Sequence, residues 1–280
     1  MTEQDKQDKF KFEIVYLVPI LASLVFGLGC AYLLAPQQSQ VIPVTPFPEN
    51  TPTGPFGNAF YFVILIAISA TVFYVLIKRR SKRIIKALII FALTTASLLL
   101  SLVYLSAIFA YFPSVDILVI PLAIAVTVLF DLAIFRLGSV ARNVAVVCLG
   151  GALGIFFGFS IPLFSAVLIL AFLAVYDVFA VYRGPVGKIA QSGLDQLQGL
   201  SFSFKDIQMG LGDLVFYSML TGVMFFSFPN SILPSLMAIV GILAGSIITF
   251  FMLEKKGIFP GLPFPIMLGL AGGLIAGFLL

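Results

Sequence analysis

Long apolar stretches alternate along the chain with short clusters of charge or proline. Apolar runs near 14–35, 58–77, 87–110, 117–135, 143–158, 161–182, 208–228, 232–253 and 262–280 approach the length of a helix that crosses a bilayer. Lipid offers no hydrogen bonds to a bare backbone, so spanning segments are helices or closed barrels. Runs near twenty residues, rather than alternating tens, select helices. The pattern predicts an all-α, polytopic membrane protein with nine transmembrane helices, forming a single membrane-embedded domain over residues 1–280. The fifth run is short and the ninth opens with prolines. An eight-span alternative would fuse the fifth and sixth runs across Gly158-Phe159-Ser160-Ile161-Pro162.

Charge placement tests the count independently. Lys6, Lys9 and Lys11 precede the first run, and Lys78, Arg79, Arg80, Lys82, Arg83 and Lys86 follow the second. Arg136 and Arg142 follow the fourth, Arg183, Lys188 and Lys205 the sixth, and Lys255 and Lys256 the eighth. With nine spans, all 16 basic residues fall on one side, which the positive-inside rule makes the cytoplasm. The N-terminus is then cytoplasmic and the C-terminus extracytoplasmic. Eight spans would scatter the last two clusters to the other side. The net charge of +4 therefore needs no nucleic-acid partner; the basic residues orient the chain in its lipid bilayer.

Composition narrows the chemistry. The chain is 61% hydrophobic and 10% charged, with a mean hydropathy of +1.15. It has no histidine, and Cys30 and Cys148 lie in separate apolar runs, which argues against a zinc site or a disulfide framework. No metal or organic cofactor is implied. The charged MTEQDKQDKFKFE opening leads into a full-length apolar run without a small-residue cleavage site, so a retained first span is expected.

Two connections stand out. The first external loop, Pro36 to Gly57, carries six prolines and should be extended and irregular. The internal loop from Arg183 to about Asp206 ends in Leu200-Ser201-Phe202-Ser203-Phe204-Lys205, whose alternation is a short-strand pattern. Glycines spaced by four, at 150, 154 and 158, at 241 and 245, and at 269, 273 and 277, mark faces for close helix packing.

Asp131, Asp177 and Asp213 lie within or beside the apolar runs. A carboxylate there costs on the order of 2.5–3.5 kcal/mol on insertion scales, so it has a partner or a purpose. Asp131 stands near Arg136, which suits a local ion pair or snorkelling. Counted from Arg183 and Lys205 at helical rise, Asp177 and Asp213 both fall roughly 9–12 Å inward from the cytoplasmic boundary. Two carboxylates at one level suit an aspartyl pair that shares a proton. One activates water while the other protonates the substrate carbonyl. Depth alone equally suits an ion or proton pathway, or acids that brace helices.

The local sequences separate these readings. Asp177 sits in Tyr176-Asp177, Asp213 in Gly210-Leu211-Gly212-Asp213, and Pro260-Gly261-Leu262-Pro263 opens the last run. This succession resembles the presenilin and signal peptide peptidase family of intramembrane aspartyl proteases, whose signatures are YD, GxGD and PAL on the sixth, seventh and ninth spans. The short chain is similar to an archaeal presenilin homologue. The resemblance implies an intramembrane aspartic endopeptidase with Asp177 and Asp213 as its catalytic pair. Tyr176, Gly210, Leu211, Gly212, Pro260, Gly261 and Leu262 would shape substrate binding. It further implies transmembrane substrate proteins with a single N-out span, and residence in the cell membrane of an archaeon or bacterium.

One departure is Gly261 where the family has alanine, a change that adds backbone freedom and leaves both aspartates in place. Prolines 260, 263 and 265 should leave the start of the ninth span partly unwound with free carbonyls. An extended substrate would then pair strand to strand near Leu200 to Lys205 and Pro260 to Leu262, so proline at Phe202 or Phe204 should impair cleavage more than alanine. A secondary transporter or ion-conducting protein using the same acids is the alternative. A prepilin-type peptidase would share the GxGD chemistry on fewer spans.

Overall fold

A computed structural model describes residues 11–40, 43–79, 81–182, 200–204, 207–229 and 232–279. Lys6, Lys9, Arg80, Arg183, Lys188 and Lys205, with most of the internal loop, lie outside the described residues. The helices are α1 (Val18–Leu34), α2 (Gly54–Lys78), α3 (Lys82–Phe109), α4 (Val119–Phe135), α5 (Ser139–Ser160) and α6 (Leu163–Tyr182). Strands β1 (Ser201–Phe204) and β2 (Ile207–Gly210) follow, then α7 (Leu211–Ser227), α8 (Ile232–Lys256) and α9 (Pro263–Leu279). Among the described residues, seven helical stretches are long and apolar enough to cross a membrane: α1 with its flanking turns, α2 to α6, and α8. The chain is thus an integral, multi-pass membrane protein. The helices α7 and α9 are apolar but shorter.

The breaks follow local chemistry. Ile161 adopts an extended conformation before Pro162, as the proline ring requires of its predecessor, so α5 and α6 are separate helices. Gly257, at φ 75°, accepts the left-handed turn that ends α8, and its N–H closes on the Leu253 carbonyl at 2.8 Å. The seventh run, expected to be helical from about 208, begins its helix only at Leu211. The preceding residues form β2, antiparallel to β1 with Phe202 opposite Met209 and Phe204 opposite Ile207. This hairpin is the one departure from an all-helical fold among the described residues.

Helix α7 is the centre of the core, buried almost throughout its length. Its closest partner is α5, and α8 packs along α9. Glycines permit both contacts. A β-carbon at Gly154 would run into the Val215 carbonyl, and one at Gly158 would lie 2.7 Å from the Val223 nitrogen. Gly241 faces the Leu268 carbonyl in the same way, while Gly269 and Gly273 of α9 abut Leu220 and Met224 of α7. Bare backbone at these points lets dispersion contacts form at short range.

By contrast α2 is buried only at Gly54, Asn58 and Ala59, all near its first turns. That end is tied down by the preceding loop, which is irregular but folded back onto α6. Asn58 accepts from the Phe47 N–H at 2.9 Å and donates to the Phe47 carbonyl at 3.0 Å and to Ser165 Oγ at 2.9 Å. Ser165 Oγ in turn donates to Glu49 at 2.6 Å. On α4, it is the Thr94 hydroxyl, not Arg136, that meets Asp131, donating at 2.8 Å.

Candidate active site

Asp177 projects from the last part of α6 and Asp213 from the first turn of α7. Both reach the linker between α8 and α9. The Leu262 N–H donates to Asp177 Oδ2 at 3.0 Å. One residue earlier, a β-carbon built on Gly261 would stand 3.0 Å from Asp213 Oδ2. The two carboxylates therefore converge on the Gly261-Leu262 dipeptide. Both are half-buried. Their convergence comes from tertiary packing, because the depth count failed for Asp213: residues 207–210 are extended strand, with a longer rise than a helix.

The other expected residues fall into three groups. Gly261 and Leu262 do meet the aspartates, with Pro260 buried beside them in the chain, but the Gly261 and Leu262 carbonyls are less free than expected. The Gly261 carbonyl accepts from the Tyr217 hydroxyl at 2.9 Å, and the Leu262 carbonyl from the Ile266 N–H at 3.0 Å as α9 begins. Gly210, Leu211 and Gly212 join the hairpin to α7, with the Leu211 N–H bonded to the Leu200 carbonyl at 2.8 Å. No backbone approaches Gly210 or Gly212 closely: the nearest atom to a β-carbon is 3.9 Å away at the first and 3.8 Å at the second. Tyr176 is half-buried next to Asp177, and its hydroxyl makes no hydrogen bond among the described residues.

Two cavities adjoin the start of α7. One, of about 800 Å³, is almost wholly apolar and lies among α2, α5, α6 and α7, with Gly212 in its wall. The other, of about 110 Å³, is largely polar and includes Asp213, Tyr217, Ser246 and Thr249. Tyr217, Ser246 and Thr249 escaped the sequence reading. Tyr217 stands four residues after Asp213 on the same helix face, a spacing that could have marked it.

Two carboxylates brought to one dipeptide inside a helical membrane protein suit aspartyl hydrolysis. A family model described as "Signal-peptide peptidase, presenilin aspartyl protease" matches residues 23–187, more than half of the chain; the match takes in Tyr176-Asp177 and ends before Asp213. The chain belongs to that family, and it is an intramembrane aspartyl protease, a peptide hydrolase. Family members act on transmembrane substrates within the bilayer. Two solved structures of a presenilin family intramembrane aspartate protease, in different crystal forms, share the fold. The C222 form has a TM-score of 0.68 at 22% identity, covering 94% of this chain and 99% of that one. The P2 form has a TM-score of 0.66 at 22% identity, covering 94% and 98%. No curated protein matches the sequence. The transport reading finds no support in these comparisons.

Proposed function

We propose that Asp177 and Asp213 are the catalytic pair, and that the whole chain acts as one membrane-embedded unit of nine spans, α1 to α9. The N-terminus lies in the cytoplasm and the C-terminus outside, an orientation supported by the one-sided distribution of the basic residues. The observation that carries the catalytic assignment is the convergence of both carboxylates on Gly261-Leu262.

With one proton between them, the pair performs both halves of hydrolysis. The ionised carboxylate takes a proton from water, and the water oxygen attacks the scissile carbonyl carbon. The protonated partner gives its proton to the carbonyl oxygen, forming a neutral diol. On collapse the diol returns one proton to the ionised carboxylate, the other carboxyl gives the proton it took from water to the leaving nitrogen, and the C–N bond breaks. The pair finishes with the single proton it began with, and it titrates as a unit.

A substrate helix hides its peptide bonds, so it must unwind before this chemistry. The 800 Å³ apolar cavity suits a substrate span brought beside Gly212, one residue from Asp213. The unwound segment then adds to an outer edge of the hairpin. The 260–262 segment is a poorer docking edge, since Asp177, Tyr217 and Ile266 occupy its Leu262 N–H and its Gly261 and Leu262 carbonyls. Tyr176, Gly210, Leu211 and Gly212 line the approach to the pair, and N-out single-span proteins are the preferred substrates. The short chain fits the cell membrane of an archaeon or bacterium.

The test is cleavage of an N-out single-span protein by purified enzyme in liposomes without an ion gradient. Wild type should cleave, while Asp177→Ala and Asp213→Ala should each lose cleavage with thermal unfolding unchanged. Cleavage surviving in either folded variant would remove that residue from the pair.

A further inference from the structure

The polar pocket behind Asp213 shares no lining residue with the apolar cavity. Its walls are Asp213 and Tyr217 of α7, Ser246 and Thr249 of α8, and Phe259 and Gly261 of the linker, closed by apolar side chains of α1, β2 and α8. At about 110 Å³ it exceeds the roughly 10–15 Å³ that one water needs. Tyr217 is 2% exposed and Ser246 2%, so these oxygens lie deep in the protein.

Thr249 adds an independent sign. It is 6% exposed, and its buried hydroxyl has no hydrogen-bond partner among the described residues. Two nearby hydroxyls satisfy themselves on the preceding turn: Ser246 donates to the Ile242 carbonyl at 2.8 Å and Thr221 to the Tyr217 carbonyl at 3.2 Å. Thr249 does not, and an unmet buried hydroxyl carries a desolvation cost that water in the adjoining pocket relieves.

Resting on the assignment of Asp213 to the catalytic pair, we infer that this pocket is the water site of the protease, with Thr249 and Ser246 as the residues that position the water consumed in hydrolysis. The need for a second site follows from the reaction. Each turnover adds the elements of one water across the C–N bond, yet the apolar cavity cannot hydrate a carboxylate, least of all once a substrate span fills it. The polar pocket reaches the same carboxylate from different walls. Counting from Lys255 at helical rise, Thr249 lies only ~9 Å along α8 from its charged end. Tyr217 lines the pocket too, but its hydroxyl also holds the Gly261 carbonyl, so Thr249 is the cleaner probe.

The test compares steady-state cleavage by wild type, Thr249→Val and Thr249→Ser in liposomes, with Asp213→Ala alongside. Valine keeps the shape and removes the hydroxyl. We expect kcat to fall roughly ten- to a hundredfold with KM unchanged, as a displaced reactant requires, and serine to restore it. Wild-type kcat in the folded valine variant, or a raised KM at constant kcat, overturns the inference. Asp213→Ala separates the two levels: if it stays active the catalytic assignment fails, and if it is dead while valine is wild type only the water site fails. Should valine prevent folding, Thr249→Cys in a Cys30→Ser, Cys148→Ser background decides. A small water-soluble methanethiosulfonate should modify it in the substrate-free enzyme, and an inert thiol overturns the inference.

Discussion

Gly261 faces Asp213 so closely that a β-carbon on the glycine would stand 3.0 Å from the carboxylate oxygen. A side chain at position 261 would therefore touch Asp213, so glycine there is not a change remote from the proposed catalytic pair. Its backbone does not need glycine, since Gly257 is the glycine with positive φ. Gly261→Ala should thus raise stability by about 0.4–1 kcal/mol through the unfolded chain. The carboxylate must give by a few tenths of an ångström, and we expect kcat to change less than about tenfold. Gly261→Val, whose branch the carboxylate cannot avoid, should abolish cleavage while the protein still unfolds cooperatively in detergent. Full activity in the valine variant would show that the linker does not abut Asp213.

The hairpin register redirects the test of strand addition. The Leu211 N–H bonds the Leu200 carbonyl, and pairing alternates along an antiparallel ladder, so Phe202 and Phe204 turn their backbone groups toward β2. Proline at those positions would break the hairpin itself. Ser203 on β1 and Gln208 on β2 point their N–H groups outward, and proline at an outer edge spares the ladder. We expect Ser203→Pro or Gln208→Pro to suppress cleavage while the matching alanine variants do not. The strand at which this happens is the docking edge. Equal effects of proline and alanine at both would reject strand addition.

Helix placement was legible because prolines and basic clusters punctuate it: Pro162 splits α5 from α6, and Lys78 and Lys82 bracket the α2–α3 turn. The second strand was not legible. Ile207-Gln208-Met209-Gly210 merges with the apolar run that follows, and four residues carry too little periodicity to separate strand from helix. Motifs pointed to Asp177 and Asp213, yet the depth argument behind them assumed helix where β2 lies. The prolines marked less unwinding than expected, since only Pro260 lies in the non-helical linker and the helix runs from Pro263, and they said nothing of the partners that take the linker's carbonyls. One is the Ile266 N–H of α9 itself, and the other, the Tyr217 hydroxyl, comes from α7. Thr249 was invisible because a hydroxyl in an apolar helix usually bonds its own backbone.

The clamp at the start of α2 should be a stability element. Asn58 is fully buried and serves the backbone of Phe47 and the hydroxyl of Ser165. Asn58→Leu leaves the Phe47 N–H and carbonyl without this partner, leaves Ser165 only Glu49, and should cost about 1–3 kcal/mol. Because little else of α2 is buried, the loss should loosen α2 first. Hydrogen exchange is therefore expected to rise along α2 before it rises in α7. A uniform rise would mean that α2 is held elsewhere.

The glycine faces make a sharper stability contrast. Gly154→Ala drives a β-carbon into the Val215 carbonyl and Ser218, where backbone rather than a flexible side chain must move. That should destabilise by about 1–3 kcal/mol. Gly29 on α1 has nothing within 4 Å of its β-carbon position, so Gly29→Ala gains helix propensity and should be neutral or stabilising by up to about 1 kcal/mol. Thermal unfolding of both variants in one detergent measures the difference. Equal stability would mean that α5 and α7 do not pack at this distance.

Substrate polarity offers the most direct check on topology. The scissile peptide must present its carbonyl carbon, then its nitrogen, to two carboxylates fixed on α6 and α7. The hairpin edge that receives it has one N-to-C direction. A span inserted with inverted polarity offers the same bonds in reverse order, which misaligns both the strand ladder and the attacking water. If the basic residues place the N-terminus in the cytoplasm, N-out spans should be cleaved at least about tenfold faster than the same sequence flanked to insert N-in. Matched reporters differing only in flanking charge, assayed in liposomes of known enzyme orientation, measure this. A preference for N-in spans would reverse the topology while leaving the pairing of Asp177 with Asp213 intact, because that pairing rests on Gly261 and Leu262 rather than on the membrane's sidedness.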